Sequence, residues 1–393
     1  MRGRVTRVLW IGLWLVGCSK TQPAQEETPK TAVPIKAPEV DPAKRVVQIF
    51  ATRGYSTFAI MGDGRVKGWG NTWILGIEVE GNKQTVPVDL PALTGASAIV
   101  AGSEHSCALF SPGQVRCRGQ NRLGQLGDGT RNYSQKPVAV HGLTDVVAIS
   151  AGGLHTCALQ NSGQVKCWGD NNLGQLGSGI GGTKEKPRFQ ELSPVTAVGL
   201  SDATAISAGA YHTCALTRQG IVKCWGAFGM SHKDPSNTPV EIPGLEGITA
   251  VASGYEHVCV LTKAGTVKCW GNRNDGALGN GLDEDSRIPV DVPVLSGITA
   301  LSVGQRSTCT MGAKSEVQCW GADLDYQPGG DVKRHRVPAK VKGLSSVAAI
   351  SVGSDHACAL TSSGTVWCWG CNTHGELGNG TTTDSLVPVE VKL

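Results

Sequence analysis

Aromatic side chains are scarce in this 393-residue chain: 5% of residues are Phe, Trp or Tyr, while glycine reaches 53. That balance disfavours large helical cores and favours many short strands joined by tight turns. No charge of one sign dominates either. The formal net charge is +4, and Arg2, Arg4 and Arg7 supply three of those charges before any folded segment begins. Nucleic-acid binding calls for a basic surface that neutralises phosphates, and nothing here supplies one. Long apolar runs are missing as well. The N-terminal run Val8–Val16 is too short to span a bilayer as a helix. No Ser/His/Asp or Cys/His arrangement and no phosphate-cradling glycine loop stands out. No catalytic residue, metal ligand or cofactor is therefore assigned, and enzyme activity is not expected.

The N-terminus reads as an export signal: three arginines, the short apolar run, then Leu15-Val16-Gly17-Cys18. This segment resembles the lipobox of bacterial lipoproteins. The resemblance implies cleavage before Cys18 and lipid on its sulfur and amine. Ser19 stands where an inner-membrane retention signal would carry Asp, so an outer-membrane lipoprotein is expected, facing the periplasm or the cell surface. Removal of residues 1–17 leaves 33 basic against 32 acidic residues. Residues 18–45 then form a lipidated tether with Pro23, Pro29, Pro34, Pro38 and Pro42 and no hydrophobic period. Its reach is about 80 Å if fully extended in the polyproline manner.

From residue 46 to 393 four short motifs recur in fixed order. They are a small-residue run such as Ala148-Ile149-Ser150-Ala151-Gly152, then His-x-Cys-Ala-Leu (His155 to Leu159), then Gly-x-Val-x-Cys-Trp-Gly (Gly163 to Gly169), then Pro-Val-x-Val (Pro137 to Val140). Each has strand composition and turn residues at its ends. The prolines Pro87, Pro137, Pro187, Pro239, Pro289, Pro338 and Pro388 count seven copies. Proline cannot donate to a ladder, so the fourth strand belongs at an outer edge. The small-residue strand suits a crowded centre. A hairpin glycine follows the second strand in six copies, with Ser315 in the sixth, where the turn is expected to differ. Copy three is read as carrying an insertion, Ser193 to Leu200, after its fourth strand. An all-β, seven-bladed propeller of four-stranded antiparallel blades is expected, with a linear β-solenoid as the alternative.

The combination Gly-x-x-His-x-Cys-Ala-Leu, Gly-x-Val-x-Cys-Trp-Gly and Asn-x-x-Gly-Gln-Leu-Gly is similar to the regulator of chromosome condensation repeat. Asn121 to Gly127 and Asn171 to Gly177 match its last part most fully. Copies one, four and six depart from it at Thr72–Gly76, Phe228–Ser231 and Asp323–Gly329. The resemblance implies seven blades over about 350 residues. It also brings to mind the nucleotide-exchange role of eukaryotic relatives on a small GTPase. That role is not expected here, given the export signal and the absence of a long wedge-like insertion.

Cysteines recur ten apart: Cys107 and Cys117, Cys157 and Cys167, Cys214 and Cys224, Cys259 and Cys269, Cys309 and Cys319, Cys358 and Cys368. Copy one lacks both members and has Phe58 and Gly68 instead. Joint absence, and a turn midway between the positions, point to six cross-strand disulfides in an oxidising compartment. Free core thiols and zinc are the weaker readings. Beside Cys18 this leaves Cys371, which is either a free reactive thiol, an intermolecular partner or an inert substitution. His105, His155, His212, His257 and His356 share one repeat position, with Ser56 and Ser307 in the other two copies. They should ring the axis, each bonded to the backbone of its own blade, and a metal ring is the less favoured reading. The repeated tryptophans are expected in inter-blade packing.

A rigid disc leaves its loops for recognition. The segments before each fourth strand carry Arg131, Tyr133, Lys184, Phe228, Met230, His232, Asp283, Asp285, Arg287, Tyr326, Arg334 and His335, and should cluster on one face. Tyr211 and Tyr255, between the repeat Gly and His, are expected on the opposite face. Mixed aromatic and charged residues suit protein binding, although loop divergence fits relaxed constraint equally well. The expected function is a monomeric, lipid-anchored, non-enzymatic scaffold at the cell envelope that recognises a protein or surface glycan. The alternatives are an enzyme inhibitor similar to the propeller-type β-lactamase inhibitor and, third, an envelope polysaccharide hydrolase or lyase.

Overall fold

Short runs of small, β-branched and polar residues, closed at both ends by Gly, Asp, Ser or Pro, become strands throughout this chain. The computed structural model describes residues 41–181, 189–228, 235–272, 274–282, 284–322 and 335–393. Its strands form seven four-stranded antiparallel sheets, each built from one continuous stretch of sequence. The first blade comprises Val46–Ala51, Ser56–Met61, Val66–Asn71 and Lys83–Asp89. The seventh comprises Val347–Val352, His356–Thr361, Val366–Gly370 and Ser385–Glu390. The chain is an all-β, seven-bladed propeller.

Size sorts the strands by radius. The first strand of each blade lines an axial cavity of about 220 Å³, and its walls include Ala101, Ala151, Ala208, Ser150, Ser207, Ser302 and Ser351. Four of its serines also tie neighbouring blades together. Ser150, Ser207, Ser302 and Ser351 accept the backbone N–H groups of Ala208, Ser253, Val352 and Ala51, at 2.8–3.0 Å. Proline-bearing strands lie outermost, where the missing donor costs no ladder bond.

Two sequence expectations about the strands and turns are corrected here. The fourth strand of blade three is Gln190–Thr196, with Val195 opposite Cys167 just as Val138 lies opposite Cys117. The matching proline is therefore Pro194, and Pro187, seven residues earlier, lies outside the described residues. Most of the supposed insertion Ser193 to Leu200 is that strand and its exit; the extra length sits before the strand, not after it. The second correction concerns Ser315. Its turn matches the glycine turns: it holds φ +62°, and its N–H bonds Gly312 O at 3.0 Å, as Gly163 N–H bonds Gln160 O at 2.9 Å.

The ring closes without exchanging a strand between its ends. Around the axis, the turns joining first and second strands pass a backbone hydrogen bond from blade to blade. Ser103 bonds Gly153, Gly153 bonds Ala210, Ala210 bonds Tyr255, Tyr255 bonds Gln305 and Gln305 bonds Gly353. The bond that joins blade seven to blade one runs from Ser354 N to Thr52 O at 3.2 Å.

The apolar core is correspondingly not one mass but seven slabs, one at each blade junction. In six of them a fully buried tryptophan packs on the cysteine pair of the preceding blade, as Trp168 does on Cys107 and Cys117. All six disulfides form between directly opposed strand positions, with Cα atoms 4.0–4.1 Å apart. Cys107 bonds Cys117, Cys157 bonds Cys167 and Cys214 bonds Cys224 in blades two, three and four. Cys259 bonds Cys269, Cys309 bonds Cys319 and Cys358 bonds Cys368 in blades five, six and seven. The six expected disulfides form, and their sulfurs are core atoms as well. Cys224, Cys269 and Cys368 are fully buried, and each packs in the slab against the next blade's tryptophan, Trp270, Trp320 and Trp69 respectively. Strand pairing brings the sulfurs together, and ring closure then covers the finished bond.

At the junction of blades one and two both halves of this unit are replaced. Phe58 faces Gly68, where a Cβ would stand 2.6 Å from Leu90 and 2.7 Å from Leu75. The tryptophan position of blade two is Arg118, buried, with burial lowering its pKa to about 10. One bulky ring takes the room of a disulfide.

Tryptophan hydrogen bonding follows the loop sequence. Trp69, Trp168 and Trp320 donate from Nε1 to the carbonyls of Glu376, Gln125 and Ala277 in the preceding blade, at 2.7, 2.8 and 3.0 Å. Trp270 and Trp369 have no acceptor among the described residues, and they follow copies four and six, whose loops depart from Gly-Gln-Leu-Gly. At blade four the carbonyl of Gln175 takes Thr213 Oγ1 at 2.9 Å, and Trp225 Nε1 has no partner among the described residues. Trp168→Phe would leave the buried Gln125 carbonyl with only the long 3.5 Å bond from Thr156 Oγ1, whereas Trp270→Phe removes an N–H that has no acceptor among the described residues. Urea unfolding should show Trp168→Phe as the more destabilising change by about 1–2 kcal/mol. Equal losses would mean the indole hydrogen bond contributes nothing.

Candidate functional site

Four strands per blade alternate in direction, so first-to-second turns and third-to-fourth loops leave from the same end. The contacts show it. Tyr55, in a first-to-second turn, stacks at 5.3 Å on His374 in the third-to-fourth loop of the preceding blade. Arg306 Nη1 meets Asp275 Oδ2 at 3.1 Å, and Asn272 Nδ2 donates to Glu256 Oε2 at 2.8 Å. Tyr211 and Tyr255 therefore share a face with Arg131 and Tyr133, correcting the expectation of opposite faces. The hairpins between second and third strands occupy the other end.

The repeated histidines do not present themselves at this face. His105, His155, His257 and His356 are buried, and each Nε2 reaches the next blade's threonine rather than its own backbone. The partners are Thr156 at 2.7 Å, Thr213 at 2.9 Å, Thr308 at 3.2 Å and Thr57 at 2.8 Å. The residue after the next blade's histidine, or after Ser56 or Ser307 where serine replaces it, decides the pairing. Blade five has Val258 there, and His212 accordingly has neither ring nitrogen bonded among the described residues. The glycine three residues before each His gives the ring its room; a Cβ at Gly152 would stand 2.1 Å from His155 Cε1. Burial lowers the pKa to about 4 for His105 and His356 and to about 3 for His155 and His257, while His212 falls well below the ordinary value. Among the described residues no three His, Cys, Asp or Glu side chains converge on a metal position.

A residue with no counterpart in the motif list occupies the axis. Blade one spends one more residue than the others on its first turn: Thr52 N bonds Ser56 O, where Gly102 N bonds His105 O. The extra length carries Arg53 across the ring. Its Nη2 donates to Ala208 O, Ser253 O and Gly254 O in blades four and five, at 3.1, 2.7 and 3.1 Å. Burial lowers the guanidinium pKa to about 10. A single long side chain thus ties opposite sides of the disc. The only signal for it in the sequence is that one-residue lengthening.

On the loop face the accessible side chains gather in two places. Tyr211 and Tyr255 meet edge-to-face, 5.4 Å between centroids, with hydroxyls 2.8 Å apart. Burial and that hydrogen bond push the Tyr211 phenol up. Beside them lies a hollow of about 240 Å³ lined by Tyr255, Glu256, Asn272, Gln305 and Arg306. The second place is at the junction of blades one and two, where Tyr133 meets Trp73 at 6.4 Å. Arg131 and Arg287 are exposed, and Asp285 and His335 are half-buried. Phe228 is half-buried and packs against the slab between blades four and five, which makes it a core residue rather than a surface anchor. Cys371 opens the loop of blade seven on this face; it is free, half-buried, and its thiol pKa is raised by burial. Cys18, Lys184, Met230, His232, Asp283, Tyr326 and Arg334 lie outside the described residues. A cavity of about 380 Å³ is elsewhere, among the outer strands of blades six and seven.

Fold and surface together define a repeat propeller with one elaborated face, and the chain belongs to the RCC1-like domain family, matching it over residues 144–393. The regulator of chromosome condensation (RCC1) repeat matches separately over 112–159 and 96–125. Among solved structures, human WBSCR16 is similar at TM-score 0.73 and 21% identity, covering 84% of this chain and 94% of that one. Prp20p from Saccharomyces cerevisiae, described with its binding to Gsp1p and histones, is similar at TM-score 0.70 and 21% identity, covering 83% and 85%. Yeast RCC1 (Prp20), in a structure with Kap60, is similar at TM-score 0.70 and 18% identity, covering 95% and 91%. At these identities the likeness establishes the fold.

Proposed function

We propose that this protein is a lipid-anchored, non-enzymatic binding scaffold at the cell envelope, holding a protein or surface glycan on its loop face. One observation carries the reading: both sets of loops, with the Tyr211/Tyr255 and Trp73/Tyr133 pairs, share the end of the disc opposite to where the chain enters it. Arg45, just before the first strand, donates to Ser362 O and accepts from Gly62 N at 2.8 Å, which places it among the second-to-third hairpins. The loop face is therefore the end away from Arg45 and the start of the first strand. The protein partners of Prp20p and the elaborated, mixed aromatic and charged face support a protein ligand before a glycan.

Capture from envelope extract tests this with the full chain, a Tyr255→Ala/Arg306→Ala variant, and Ser162→Lys on the hairpin end as control. The native chain and the control should retain the partner, and the loop-face variant should lose most of it, about tenfold or more for a central anchor. Cys18→Ala should move the protein from the membrane to the soluble fraction while capture persists. Retention by the loop-face variant with loss in the control, or turnover of envelope polysaccharide without a partner, would sink the reading.

A further inference from the structure

The junction of blades one and two departs from the repeat in its core, and it departs on its surface too. Where copies two and three carry Gly-Gln-Leu-Gly, this one forms a single helical turn, Thr72–Leu75. Asn71 caps it by accepting the Trp73 N–H at 3.1 Å, and Gly76 closes it with φ +63°. Ile74 and Leu75 are buried in the slab around Phe58, and Trp73 is thrown outward, 53% exposed. No other tryptophan among the described residues is exposed; six of them are buried at blade junctions. Backbone capping, not burial of its own ring, holds this indole in place. Tyr133, 46% exposed, meets it edge-to-face at an interplanar angle of 67°.

The two rings make a ridge between two hollows of about 320 and 260 Å³. Glu78 and Glu80 line the first, Glu104 the second, and no Lys, Arg or His lines either. Glu78, Glu80 and Glu104 are all exposed. None makes a side-chain hydrogen bond or salt bridge among the described residues. Arg118 is the cation beneath the ridge; it is buried, with Nε on Ser106 Oγ at 3.3 Å, and does not reach the surface. Electron-rich ring faces flanked by unneutralised carboxylates attract a cation, and an ammonium or guanidinium over such a face is favoured most when it is also desolvated. A sugar would stack on the same indole but would leave the three carboxylates without counter-charge.

We propose that Trp73 and Tyr133, with Glu78, Glu80 and Glu104, form a docking site for a lysine or arginine side chain presented by a protein partner. The proposal deepens the scaffold reading and rests on it, since it names the chemistry that one part of the loop face recognises. The full chain labelled with 5-fluorotryptophan tests it, with the Trp73 fluorine resonance identified by Trp73→Phe. The probes are the peptide acetyl-Gly-Lys-Gly-Lys-Gly-amide, its norleucine analogue and a neutral oligosaccharide. The lysine peptide should shift the Trp73 resonance saturably, and the norleucine peptide should need about tenfold more, the scale of a cation–π contact plus ion pairing. Glu78→Gln/Glu80→Gln/Glu104→Gln should weaken the lysine response by about the same factor, with the buried tryptophan resonances unchanged as a check on folding. No response, an equal response to norleucine, or a response to the oligosaccharide alone would overturn the proposal. Loss of envelope capture in the Tyr255→Ala/Arg306→Ala variant is read independently, so failure here leaves the scaffold reading standing or falling on its own result.

Discussion

Acidification from pH 7 to pH 5 is expected to remove most of the stability of this propeller in one steep transition. Five histidines are buried at the blade junctions and stay neutral in the folded protein. Burial is the first cause, with Arg53 adding to it at His155, His212 and His257, and Glu376 opposing it at His356. In the unfolded chain each returns to the ordinary value near 6.5. Their folded pKa values lie below that, so the unfolded state takes up protons first as the pH falls. The stability they contribute is full above pH 6.5 and drains away between there and the folded values of about 3 to 4. At pH 5 each such group costs about 2 kcal/mol, and five together about 10 kcal/mol, comparable to the whole stability of an ordinary domain. Calorimetry between pH 8 and pH 4 should show the midpoint falling sharply below pH 6.5. His155→Gln should make that fall shallower even though it loosens one junction at neutral pH. A midpoint flat from pH 7 to pH 5 would mean the imidazoles find water or protons in the native state.

The second large effect is expected at the disulfides. Replacing Cys157 and Cys167 together by alanine removes a ten-residue loop closure worth about 3 kcal/mol in the chain-entropy model. It also opens space against Ala215 and Trp225 in the next blade. The combined loss should be about 3–5 kcal/mol in urea unfolding. Both sulfurs are fully buried, so reductant alone at neutral pH should leave the bond intact until the junction opens. The same protection extends to Cys224, Cys269 and Cys368, whose bonds to Cys214, Cys259 and Cys358 are covered by the next blade in the same way. An unchanged unfolding midpoint in the double variant would deny the bond its structural role. Blade one shows how the fold manages without it: Phe58 fills the volume from one side, and Gly68 makes room for Leu75 and Leu90 on the other.

Much of this was legible before any coordinate. The number of blades follows from the count of proline-bearing strands, with Pro194 rather than Pro187 as the member in blade three. Pro187 and Pro194 are equivalent as residues, and only the pairing of Val195 with Cys167 shows which stands in the ladder. The face assignment failed for a different reason. A loop's position in the repeat does not tell which end of the disc it leaves from; strand direction does. Phe228 looked like a binding anchor because it sits in a divergent loop, and the neighbouring blade's core claims it instead.

By itself the sequence determined what is local or periodic. Cysteines ten apart with a turn between them must oppose each other, small residues must crowd the centre, and a lost pair must be replaced in volume. The tertiary structure decided the contacts that link blades: which threonine answers which histidine, that Arg53 crosses to residues 155 and 200 positions away, and that Trp73 meets Tyr133 on one face. Those contacts depend on ring closure and strand direction, which bring together residues that no local pattern relates.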